Sequence, residues 1–445
     1  MARFTDLPVE TIEHISAHLV LHSKTALANF CLTSQTVHQA GAPMLWQVVT
    51  LVFDSPDESF DLVAERASAL AALAEAGKVN FALAHVQRLS VETPCLKYGD
   101  NVTRDRASRI DDMLVRFLCG LSAVQSFNLD LCMARFTLPS TIELVTSDRI
   151  KLSALNISGA YAGKLEMNRP MPDVQRLGIG YCGCRLELEL AQFSALTHLR
   201  LALDNDGSDA TGSSAVQFPP SLWMTLRELH LDLGLDLGLD WGNSSSPDWL
   251  DELKNSLANA PYIVLESLAI FRFSLIDEGI QERFLRIFPT ACPNIRRLAL
   301  STWDTVSAAY ICSISQEYPN LSELTICAYM THGCWKWPDS PSAYGDALSA
   351  MRGLRYLAVN HNDEPDDLEL NNASYGKFTH ECSEAGAKTR SRFASELAVR
   401  NQELEYVLFC PLEQEKCSVK VVRQEGGKVE TFFQDSPRKP FWCDV

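Results

Sequence analysis

The chain is short of positive charge, of closely spaced cysteines and of long apolar runs. Lys and Arg number 39 against 56 Asp and Glu, a formal net charge of -17 over 445 residues. Such an acidic surface repels phosphate, so binding nucleic acid through its backbone is disfavoured. The 14 cysteines include no Cys-x-x-Cys pair, so no zinc site is signalled. The closest spacing, Cys182-Gly-Cys184, reads as a turn that carries two thiols. Cys31, Cys95, Cys119, Cys132, Cys292, Cys312 and Cys327 sit inside apolar runs, where a free thiol behaves as a small hydrophobe, and a reducing compartment fits them. No stretch reaches the ~18 uninterrupted apolar residues of a membrane span. The opening MARFTDLPVETIEHI has no apolar core, so no signal peptide is expected, and a cytoplasmic or nuclear location follows. No glycine-rich phosphate loop, nucleophile elbow or metal-spaced cluster is visible; the sequence calls for neither an enzyme nor a cofactor.

What is present is a composition of 46% hydrophobic and 21% charged residues, that of a folded chain with a large core. Its length calls for more than one structural unit. The first fifty residues read as short helices. Asp6-Leu7-Pro8 suits a cap with proline in the first turn, and Ile12, Ile15 and Leu19 follow at helical spacing. Leu27, Phe30, Cys31 and Leu32 form a second apolar run; Val37, Ala40 and Ala42 lead to Pro43 and Leu45-Trp46. Roughly 45 residues make a marginal core alone, which is a physical reason to expect a permanent neighbour. His14, His18 and His22 share a helix face, but without the glutamate of a zinc hydrolase they read as a solvated surface.

This ordered set resembles the F-box. Leu7-Pro8-x-Glu10 opens it, Ile12, Ile15 and Leu19 continue it, Leu27, Leu32 and Ser34 lie mid-motif, and Pro43-x-Leu45-Trp46 closes it. The resemblance implies a three-helix unit that binds a Skp-type adaptor and through it a cullin. The positions it implies for adaptor contact are Leu7, Pro8, Ile12, Ile15, Leu19, Leu27 and Leu32.

From residue 86 an apolar triplet recurs, spaced as one apolar residue, two variable, apolar, variable, apolar. It begins with Val86-Leu89-Val91 and ends with Leu404-Val407-Phe409, eleven copies in all. Starts are 22 to 50 residues apart, with most gaps near the ~20–29 of leucine-rich repeats. The last two apolar positions are two apart, as in a strand with one buried face. Helical stretches follow several copies, at Ile110–Leu121, Trp249–Leu257, Ile280–Phe288, Ala308–Ile314 and Arg392–Val399. One strand and one return segment cannot bury their own apolar face, so stacking is required. The region resembles the leucine-rich-repeat domains of fungal F-box proteins in a degenerate form.

The expected fold class is therefore α/β: a three-helix F-box at 1–50, a helical linker at 51–80, a leucine-rich-repeat-like solenoid with a curved parallel sheet at 81–411, and a capping hairpin and tail at 412–445. In this register the columns beside the buried triplets turn small or apolar from about residue 267. Phe271, Arg297, Glu323, Tyr356, Tyr406 and Leu408 would then line a shallow trough suited to a target protein, the alternative being that the final helix or the terminal tail covers it. Trp335 and Trp337 belong to a long loop that is a second candidate for target binding or else staples to the sheet edge, and the polar loop Asp204–Ser214 lacks the closing glutamate of a calcium site. The resemblance implies a substrate-recognition adaptor of a Skp-cullin-F-box ubiquitin ligase, with an unknown target protein and no nucleic-acid or membrane partner. The alternative is a protein-binding or structural module whose F-box works outside a ligase.

Overall fold

The computed structural model describes residues 7–52, 69, 72, 83–92, 104–131, 138–147, 149–158, 164–167, 169–180, 185–203, 215–233, 248–271, 278–302, 306–328, 339–359, 384–409, 417–424 and 429–434. The architecture is mixed α/β, with ten helices among the described residues and a large, mostly parallel sheet that closes into no barrel. The chain divides into two compact units, one of residues 1–196 and 211–216, the other of residues 197–210 and 217–445.

The first unit opens with three helices, α1 (Val9–His22), α2 (Lys24–Cys31) and α3 (Gln35–Trp46). Pro8 precedes α1 in extended backbone; Asp6, expected to cap it, lies outside the described residues. Ser23 ends α1 and starts α2, its hydroxyl accepting from the Ala26 amide at 3.1 Å, and Ser34 caps α3 through the Val37 amide at 3.2 Å. Such caps satisfy amides that the first turn leaves unpaired. The three helices meet at Gly41, where a β-carbon would stand 2.8 Å from Cys31 Sγ and 3.0 Å from Ser16 Oγ. Only glycine permits that approach. Ile12, Leu27, Cys31, Val37 and Ala42 fill the remaining space.

Strand β1 (Val48–Val52) follows directly and pairs in parallel with β2 (Arg88–Glu92). It straddles the expected end of the head and start of the linker; of the linker expected to be helical, only Ala69 and Ala72 are described beyond Val52, both helical. Helix α4 (Arg104–Cys119), β3 (Ser126–Asp130), α5 (Pro139–Val145), β4 (Ala154–Ser158) and β6 (Arg176–Gly180) complete the parallel order β1-β2-β3-β4-β6. Two short strands, β5 (Lys164–Met167) and β7 (Arg185–Glu189), pair in a side sheet that the triplet pattern does not announce.

The second unit runs β8 (His198–Leu203), β10 (Glu228–Leu233), β11 (Ser267–Phe271), β12 (Arg297–Thr302), β13 (Glu323–Ala328), β14 (Tyr356–Val359) and β15 (Tyr406–Phe409), all parallel. The three-residue β9 (Ala215–Gln217) lies between β8 and β10 in sequence. The return segments contain α6 (Asp248–Ala258), α7 (Glu278–Ala291), α8 (Ala308–Glu317), α9 (Pro341–Leu348) and α10 (Glu384–Arg400). The hairpin β16 (Cys417–Arg423) and β17 (Val429–Gln434) turns antiparallel beside β15, where it occupies the edge that β15 would otherwise leave unpaired.

In all eleven triplets the last two members fall on these strands and the first lies two residues before the strand begins; no member is more than 6% exposed. Each leucine so buried contributes about 2 kcal/mol. A repeated main-chain feature holds the register. The carbonyl of the residue just before a strand accepts two successive amides at the start of the next. Gln47, Gln87, Gln125 and Ser153 do so in the first unit; Thr197, Arg227, Glu266, Arg296, Ser322 and Arg355 do so in the second.

Candidate functional site

The head divides its apolar residues between inside and outside. Ile12 and Leu27 are fully buried, so the helices' own core claims two of the positions expected to meet an adaptor. Leu7, Ile15 and Leu19 are half-buried, and Pro8 is exposed. Leu32 is 82% exposed and Val9 50%, high values for residues of this size. His14 and His18 lie on solvent-facing positions of α1. Head and sheet are joined by Gln47 Nε2, which donates to Gln87 Oε1 at 2.7 Å, and by Lys24 Nζ, which donates to the Val48 carbonyl at 3.2 Å.

On the strands, the face opposite the triplets carries the columns read from the sequence. Within the first unit Ser90, Asn128, Asn156 and Gly178 are register partners. They form a side-chain ladder. Asn156 Nδ2 donates to Asn128 Oδ1 at 2.5 Å, Asn128 Nδ2 to Ser90 Oγ at 2.7 Å, and Ser90 Oγ to Glu92 Oε1 at 2.9 Å. Asn156 lies over Gly178, where a β-carbon would come within 2.1 Å of Asn156 Oδ1.

In the second unit the expected trough is closed at its centre. Tyr356 is 3% exposed and Leu408 0%; they cluster with Ala358, and Tyr406, half-buried, packs against them. Ala269 and Ala299 are buried with half-buried Phe271 beside them. Side chains on neighbouring strands stand about 4.8 Å apart, so a large residue beside a small one leans over it and fills the gap that the pattern alone would leave open. Arg297 and Glu323 remain half-buried. Trp335, Trp337, Cys182, Cys184 and the loop Asp204–Ser214 lie outside the described residues.

The chemistry of this face concentrates on β8, β10, β11 and β12. Arg297 reaches across Ser267 to form an ion pair with Glu228 Oε1, while His198 Nε2 stands 3.6 Å from Glu228 Oε2. Thr197 Oγ1 holds the other ring nitrogen of His198 at 2.8 Å. Burial works against the Glu228 carboxylate, but the neighbouring His198 ring and the charge of Arg297 outweigh it and hold the carboxyl below its ordinary range. Two positions along β10, His230 is 6% exposed, and neither ring nitrogen has a hydrogen-bond partner. Burial, reinforced by the positive charge of Arg200, pushes its pKa down to about 3, so the ring is neutral near pH 7. Phe271 stacks at a tilt against it, centroids 4.9 Å apart. Ser267 is fully buried with an unpartnered hydroxyl, and Asp232 is 5% exposed.

Arg200, His230 and Asp232 stand in the columns beside the triplets, and the sequence assigned them no role. The signal was a charge-rich block, Arg200, Glu228, His230 and Asp232, at the point where the column turns apolar. Among the described residues no group of three or more His, Cys, Asp or Glu is placed to hold a metal ion, and no helix is long and apolar enough to cross a membrane. No protein-family model and no curated protein matches the chain.

Proposed function

We propose that this chain is the substrate-recognition adaptor of a Skp-cullin-F-box type ubiquitin ligase. In this reading α1–α3 are the F-box and dock on the Skp-type adaptor. The strand units form a leucine-rich-repeat-like solenoid with a curved sheet, and they bind the protein to be ubiquitinated. The observation that carries the reading is the head's division of apolar residues. Ile12, Leu27 and Val37 complete a small internal core, while Leu32 and Val9 stay at 82% and 50% exposure and Leu7, Ile15 and Leu19 are half-buried. Exposed apolar surface on so small a helical unit is surface that a partner covers. The chain itself makes and breaks no bond; its contribution is proximity, holding the target near a ubiquitin-loaded enzyme supplied by other subunits.

The test is affinity purification of the full chain beside a Val9→Asp, Leu32→Asp variant. Removing residues 1–50 is less clean, because the cut passes through β1 and strips its pairing from β2. Both substituted side chains are exposed, so folding is preserved while the apolar contact is lost. The parent chain is expected to retain a Skp-type protein and a cullin, and the variant to lose both. Equal retention by the two chains, or capture of neither subunit by the parent, overturns the proposal.

A further inference from the structure

In the second unit three polar side chains on one face of the sheet have hydrogen-bonding capacity unused. His230 is 6% exposed and neither ring nitrogen is bonded; Ser267, on the next strand, is 0% exposed with a free hydroxyl. Arg200 is the register partner of His230, half-buried, and forms no ion pair or hydrogen bond among the described residues. A buried polar group left unbonded is costly, and native structures rarely leave several without a use for them. We propose that Arg200 and His230 form a binding site for a carboxylate attached to an apolar body, with Phe271 and Ala269 as its apolar wall.

Charge selects the ligand class. Glu228 is already matched by Arg297 and His198. That leaves the Arg200 guanidinium as the uncommitted cation, enough for one negative charge. A phosphate dianion would bring a second charge toward Glu228 and buried Asp232, and burying charges of like sign together is costly. A guanidinium takes a carboxylate through a matched fork of N–H donors. A neutral imidazole adds one N–H donor, which would engage one of the two unbonded ring nitrogens of His230. The aromatic face of Phe271, 4.9 Å from the imidazole, supplies apolar contact. The site stands independently of the head's docking.

The experiment is isothermal titration of the full chain with 3-phenylpropionate, its carboxamide, inorganic phosphate and a short blocked peptide carrying one glutamate between apolar residues. Saturable binding is expected for the acid, the peptide or both, and not for the carboxamide or phosphate. Binding by the acid alone identifies a small-molecule carboxylate as the ligand class; binding by the peptide identifies a protein side chain. Arg200→Gln should weaken binding at least about tenfold and Arg200→Lys less, because the point charge survives without the fork. His230→Gln, close in size, serves as the second variant and should weaken binding while leaving the circular dichroism spectrum unchanged. Equal affinity for acid and carboxamide, unchanged affinity in Arg200→Gln, tighter binding of phosphate, or no saturable binding of either carboxylate at millimolar concentration overturns the proposal.

Discussion

Acidification should destabilise the second unit through His230, and the size of the effect follows from its surroundings. The ring is 6% exposed, and burial together with Arg200 lowers its pKa to about 3 from an ordinary 6.5. The charged and titratable groups around it are Arg200 and His198 on β8, Glu228 and Asp232 on its own strand, and Arg297 on β12. In the unfolded chain His230 takes up a proton as pH falls through its ordinary value, whereas in the folded chain it stays neutral until about pH 3. The unfolded state therefore binds more protons throughout that window, and stability falls as pH falls. Full stability belongs to pH above the unfolded value, and the loss is about 1.4 kcal/mol per pH unit below it. Between about pH 7.5 and about pH 5.5, His230 accounts for a loss of about 1.4 kcal/mol. In His230→Phe, whose side chain does not titrate, that component is absent. Urea unfolding followed by tryptophan fluorescence, with fully buried Trp223 in the same unit, measures both chains across this range. The readout is the difference in pH dependence, so a constant offset from the substitution itself does not matter. Parallel loss of stability in parent and variant would refute the argument, as would an imidazole resonance of His230 that titrates near pH 6 by NMR.

Two further predictions concern the first unit. Asp111, 4% exposed on α4, accepts the Ser140 and Thr141 amides at 2.8 and 2.7 Å and so caps α5 from another helix. Asp111→Ala should cost about 2 kcal/mol in urea unfolding and Asp111→Asn less, since one acceptor remains; an unchanged midpoint for alanine would count against the cap. Gly178→Ala should cost about 1–3 kcal/mol, because its β-carbon meets Asn156 Oδ1 and displaces a side chain bonded to Asn128. Adding Asn156→Ala should restore part of the loss, and strict additivity in that double-mutant cycle would show that the clash is not the cause.

Most of the strand framework was legible because period-two alternation with a fixed apolar residue three positions earlier specifies both the strand and its buried face. The columns followed from the same triplets, and Arg297↔Glu323 and Tyr356↔Tyr406 are found as register partners. The first strand was not legible. Trp46, Val49 and Leu51 carry the repeat spacing, but Trp46 also ends α3, and the helical reading hid the strand. The helical head was readable from its periodicity, yet the division between Ile12, fully buried, and Leu32, 82% exposed, depends on how three helices cross at Gly41. The openness of the column could not be read at all. Spacing tells which side chains share a face; it is silent on what leans over them, as Tyr406 leans on Tyr356 and Leu408. His230 was missed for the same reason, since an isolated histidine in a strand carries no mark of burial.

The carbonyl that takes two amides at the mouth of each strand has a consequence for how such a chain tolerates change. Alignment is decided locally, where one strand begins against the last, and not by the number of residues spent in returning to that point. A residue added to a return segment, away from buried Tyr344 and Leu348 on α9 and Phe393 and Leu397 on α10, would leave every downstream pairing where it was. Variation in length is thereby confined to the segments that run outside the ladder, and new contact surfaces can be grown there without renegotiating the core.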